Sequence, residues 1–68
     1  MQLNIRDSED FTVTLNLNIN YELKYIETTV TARNKKANTV ATKRFSAEAF
    51  ADAIDYFEQQ RQFLFGSN

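Results

Sequence analysis

The chain has 68 residues, with no His, Cys, Pro or Trp, a single Gly and a formal net charge of −1. A chain of this length forms one domain and buries only about 60% of its unfolded surface. Without Cys or His it can be reinforced by neither a disulfide framework nor an ordinary zinc site. The near-neutral charge, with a pI of about 5.2, excludes attraction of the whole molecule to nucleic acid or to an anionic membrane.

Gln2 to Arg6 alternates with Leu3 and Ile5 on one face, which predicts a short edge strand over 2–6, and Asp7-Ser8-Glu9-Asp10 supplies a polar connection. From Phe11 onward every odd position through Tyr21 is apolar and every even one is Thr or Asn. Such period-two alternation predicts a strand over 11–20 with one buried and one wet face, in an antiparallel sheet covered on one side only. After a turn at Glu22 to Lys24 the apolar phase moves to Ile26, Val30 and Ala32, giving a third strand over 25–33. Asn34-Lys35-Lys36-Ala37-Asn38 reads as the next turn. A fourth strand spans 39–45, where Val40 and Phe45 fall out of phase and predict a bulge.

Ser46 opens a helical regime over 47–65. Ser is a favoured N-cap, Glu48 and Asp52 suit the positive end of the helix dipole, and Phe45 and Phe50 occupy the positions of a hydrophobic staple. Phe50, Ala53, Ile54, Phe57 and Leu64 recur at helical spacing, and Gly66 is the C-cap candidate. The expected fold is α+β in two layers, a three- to four-stranded antiparallel β-meander packed on one C-terminal α-helix within a single domain, 1–68.

General acid-base chemistry near neutral pH most often uses His, nucleophilic catalysis needs an activated side chain beside a base, and phosphate cradles need Gly-rich loops. None of these is present, so no enzymatic activity, cofactor or metal is expected. Asp52, Asp55 and Glu58 stand at i,i+3 spacing and read either as a hard-cation pair or as a solvated acidic helix face. The Thr/Asn strip Thr12, Thr14, Asn16, Asn18 and Asn20 reads either as a ligand-binding array or as the wet side of the sheet. No stretch approaches the roughly 18 apolar residues that span a bilayer, and Met1 to Asp7 lacks the pattern of a signal peptide. A cytoplasmic location without membrane contact is the expectation.

Charge is unevenly placed. Residues 1–32 carry Arg6 and Lys24 against Asp7, Glu9, Asp10, Glu22 and Glu27, a net −3. Residues 33–44 carry Arg33, Lys35, Lys36, Lys43 and Arg44 with no acid, a net +5, and residues 45–68 return to −3 through Glu48, Asp52, Asp55 and Glu58 against Arg61. This basic hairpin reads as a contact for phosphate backbone or an acidic protein surface, or as solubilising charge on a turn and an edge strand. The helix also holds Phe50, Tyr56, Phe57, Phe63 and Phe65, too many to face one small sheet. Its Gln62-Phe63-Leu64-Phe65 end is therefore a candidate interface, with core packing of the last turn as the alternative.

From Asn34 to Gln59 the run of basic turn, strand, Phe45-Ser46 junction and aromatic helix resembles small phage-encoded inhibitor proteins of the anti-CRISPR type, over 26 of 68 residues. The resemblance implies a compact, non-enzymatic inhibitor that docks on a larger host assembly, and no particular binding residue carries over. Two expectations follow. The first is a protein-binding module, partnered by another protein or by itself as a homodimer, with Arg33, Lys35, Lys36, Lys43, Arg44, Tyr56, Phe63 and Phe65 as candidate contacts. The second is a nucleic-acid-binding domain that uses the basic 33–44 hairpin.

Overall fold

The computed structural model describes residues 1–66. Four antiparallel strands, β1 (Gln2–Asp7), β2 (Phe11–Asn20), β3 (Tyr25–Asn34) and β4 (Thr39–Ser46), form one open sheet in the order β1-β2-β3-β4. A 3-10 turn (Ala47–Ala49) leads into α1 (Phe50–Phe65), which lies across one face of the sheet. The fold is thus the expected two-layer α+β arrangement, with four strands rather than three.

Register explains the change of apolar phase between the long strands. Val13 pairs with Ala32, Leu15 with Val30, Leu17 with Thr28 and Ile19 with Ile26, and directly paired residues share a face. Odd positions of β2 and even positions of β3 therefore form a single surface beneath the helix. The core at its centre consists of Val13, Leu15, Val30, Ala53 and Phe57. Thr28 lies on the same face and is fully buried, although its hydroxyl gave no apolar signal in the sequence.

The β2–β3 and β3–β4 turns are built alike. Asn20 Oδ1 accepts a hydrogen bond from the Leu23 amide at 2.8 Å, and Asn34 Oδ1 accepts one from the Ala37 amide at 3.0 Å. Each loop closes on a left-handed residue, Lys24 (φ 55°) and Asn38 (φ 55°) respectively. Asn side chains that bond to the backbone three residues on replace the Gly signal of a tighter turn. The first turn includes Tyr21, so the strand stops one residue short of the apolar alternation.

Four local expectations are corrected. The bulge is in β1, where the pairing passes from Gln2↔Asn16 to Asn4↔Leu15 and leaves Leu3 extra; β4 pairs without interruption from Glu27↔Ser46 to Asn34↔Thr39. Val40 is out of phase because it pairs with Arg33 on the uncovered face. Similarly Ile5, opposite Thr14, is on the uncovered face, while Arg6, opposite Val13, is on the helix side with its guanidinium 5.4 Å from the Phe65 ring. Pairing with β2 in this register sends the β1 apolar residues away from the core.

The remaining two corrections concern the helix start. Ser46 is still extended and paired to Glu27, and its side chain makes no capping hydrogen bond among the described residues. The sheet holds Ser46, so the chain turns through a 3-10 segment before α-helical geometry begins at Phe50. Phe45 also packs on Tyr56, with ring centroids 5.7 Å apart, rather than stapling to Phe50, which stays partly exposed. At the other end Gly66 (φ 79°, ψ −179°) closes α1 as expected, its amide bonding to the Gln62 carbonyl at 2.9 Å.

Candidate functional site

The sheet splits the basic hairpin. Arg33 and Arg44 pair with Val40 and Thr29 and lie on the uncovered face, whereas Lys43 pairs with Val30 on the helix side. There the Lys43 ammonium stands 4.7 Å from the Tyr56 ring centre and 5.5 Å from that of Phe45, a cation–π arrangement at the edge of the core. Lys35 and Lys36 turn back toward the acidic β1–β2 connection. Lys35 Nζ lies 2.7 Å from Asp7 Oδ1 and donates to the Ser8 carbonyl at 2.7 Å, and Lys36 Nζ lies 3.7 Å from Asp10. The Lys35 amide further donates to the Asp10 carbonyl at 2.8 Å. The ammonium beside it and a hydrogen bond from Thr12 hold the Asp7 carboxyl below its ordinary range.

The +5 segment is therefore not one basic surface. Two of its cations are matched by acids, one sits over aromatic rings, and the two arginines are on the open face. Among the described residues neither arginine makes a salt bridge.

The aromatic candidates also separate. Tyr56 and Phe65 pack against the core cluster, Phe65 meeting Phe11 edge-on at 6.4 Å. Leu64 is likewise half-buried, so Leu64 and Phe65 take the core-packing alternative, while Phe63, 82% exposed, projects into solvent. The acidic helix positions remain a wet face: Glu58 accepts both Nε (3.0 Å) and Nη2 (2.7 Å) of Arg61, and no cluster of three potential metal ligands occurs among the described residues. The Thr/Asn strip is partly occupied by its own neighbours. Asn18 Nδ2 donates to Thr29 Oγ1 at 3.3 Å, the Thr12 hydroxyl donates to Asp7, and Asn20 Oδ1 accepts from the Leu23 amide.

What the sequence reading did not single out is the far end of the sheet. β1 reaches β2 only as far as Asn16, with Met1 continuing to Leu17 through a 2.7 Å bond between its carbonyl and the Leu17 amide, and β4 reaches β3 only as far as Glu27. The β2–β3 hairpin runs on past both neighbours. Its tip presents Ile19, Tyr21, Leu23, Tyr25 and Ile26 to solvent, with Tyr21 82% and Leu23 71% exposed. On one flank an open groove of about 580 Å³ lies between Tyr25–Glu27 and Arg44–Glu48. The signal was present in the sequence: a four-residue turn carrying Tyr and Leu and followed by Tyr-Ile breaks the rule that turns are polar.

No helix among the described residues is long and apolar enough to cross a membrane. No protein family, curated protein or solved structure matches the chain.

Proposed function

We propose that this chain is a small, non-enzymatic protein-binding module whose docking surface is the tip of the β2–β3 hairpin. One observation carries the reading: five large apolar residues within an eight-residue stretch, Ile19 to Ile26, are exposed together at one end of the molecule. Contiguous apolar surface on a small soluble domain marks an interaction site, and Tyr is among the residues enriched at the centres of such sites. The likeness of residues 34–59 to phage-encoded inhibitors supports a target that is part of a larger assembly.

A phosphate-binding role has less support. Arg33 and Arg44 are about 13 Å apart along the strands, at roughly 3.3 Å per residue, and Lys35 and Lys36 are already paired. Binding by the wild-type chain, compared with Tyr21→Asp and Leu23→Asp, tests the docking reading. Both variants change highly exposed turn residues, so they are expected to fold and to lose the protein complex. Complexes that survive both substitutions, or that dissociate only when Arg33 and Arg44 are neutralised, would overturn it.

A further inference from the structure

We infer that the occupant of the hairpin tip is a second copy of this chain, joined by a two-fold axis at Leu23. The inference rests on the reading of the tip as a docking surface and names what covers it.

The first support is area. A folded monomer of 7.9 kDa is expected to expose about 4,400 Å². This chain exposes 4997 Å², an excess of about 600 Å² relative to that scaling. The excess belongs to the chain as a whole, and the same area covered on each of two copies comes to about 1,200 Å², the lower bound for a specific interface. The shape agrees: the molecule is drawn out to 37 × 23 × 15 Å, and a core of five apolar residues is thin for a domain with neither Cys nor His to reinforce it.

The second support is charge. The turn carries one acid and one base, Glu22 and Lys24, on either side of Leu23. In a two-fold contact residue i of one copy meets residue j of the other, and j meets i. An axis at Leu23 perpendicular to the local chain direction sets Leu23 against its own counterpart and each Glu22 against the other copy's Lys24. The tip is thus complementary to itself, and the net charge of −1 places almost no repulsion on pairing.

Sedimentation equilibrium over a concentration series tests this. The wild-type chain is expected to reach twice the 7.9 kDa monomer mass. Glu22→Lys alone and Lys24→Glu alone each set like charges face to face, and each should weaken the dimer about fivefold to tenfold at low salt. The double variant Glu22→Lys with Lys24→Glu restores the pairing and with it the wild-type dissociation constant. That rescue separates a tip contact from general damage to the fold. A monomer at concentrations up to about 1 mM, with binding of another protein still abolished by Leu23→Asp, would overturn the second-copy assignment and leave the docking surface standing. A dimer indifferent to Leu23→Asp and to both charge reversals would put the self-contact on another face and overturn the second-copy assignment.

Discussion

Lys35 Nζ and Asp7 Oδ1 meet at 2.7 Å, tying the end of β1 to the β3–β4 turn across 28 residues of chain. The same carboxylate oxygen accepts the Thr12 hydroxyl at 2.5 Å, so three segments converge on one exposed acid. Both contacts favour the ionised carboxyl and lower its pKa in the folded state. The stability they contribute is present above the ordinary Asp pKa of about 3.9 and is lost as pH falls through the lower folded value. Asp7→Asn is therefore expected to unfold at lower urea than wild type at pH 7. The two midpoints should converge on acidification below the folded pKa, and high salt should narrow the gap at pH 7. A gap that persists unchanged in strong acid would show that the ion pair contributes nothing.

Thr28 gives the opposite kind of prediction. It is fully buried, and its hydroxyl has no hydrogen-bond partner among the described residues. An unpaired buried hydroxyl costs on the order of 1–3 kcal/mol. Val has nearly the same shape without that hydroxyl, so Thr28→Val should stabilise the fold by about 1 kcal/mol. Thr28→Ser keeps the hydroxyl and loses a buried methyl, and should destabilise it by a similar amount. Urea unfolding of the two variants side by side reads both signs.

The helix aromatics divide by burial, and stability measurements can see the division. Phe57 is 1% exposed in the centre of the core, and Phe57→Ala should cost about 3–5 kcal/mol. In a small domain that loss removes most or all of the folded population at 37 °C. Phe63→Ala changes a side chain in solvent and is expected to stay within about 0.5 kcal/mol of wild type. Circular dichroism melts of the pair make the comparison.

At the tip, Lys24 holds a left-handed backbone (φ 55°) that its Cβ disfavours. Lys24→Gly should stabilise the chain by up to about 1 kcal/mol, offset in part by the greater freedom of Gly when unfolded. Asn38 has the same φ but tolerates it better, so Asn38→Gly should gain less. Equal gains at both positions would show that side-chain type does not govern strain in these loops.

Within the sheet, legibility followed from period. Alternation in β2 and the opposite phase in β3 marked the covered face because adjacent side chains on a strand point to opposite sides. Helical spacing around Phe57 marked the second layer for the same kind of reason. β4 and β1 were harder to read, since their faces depend on which residue of a neighbour each one pairs with. Pairing with Val30 put Lys43 on the covered face, and pairing with Thr14 put Ile5 on the open one. Ser46 misled as a cap because a strand hydrogen-bonded to Glu27 held it extended, a competition that the helix sequence alone does not contain.

By itself the sequence determined the kinds of element and their order, the places of the turns at Glu22–Lys24 and Asn34–Asn38, and Val13, Leu15, Ala53 and Phe57 among its apolar periodic positions, all of which depend on residues a few places apart. The tertiary structure alone decided which charges meet and which apolar groups stay wet. Arg33 to Arg44 looked like one basic surface until folding brought Asp7 and Asp10 against Lys35 and Lys36. Phe65 and Phe63 are two residues apart on one helix, yet only Phe65 meets Phe11. The exposed tip follows from lengths that must be compared across the fold: β2 and β3 each run ten residues, β1 six and β4 eight. Both outer strands stop short of the turn, and the apolar residues beyond them remain uncovered.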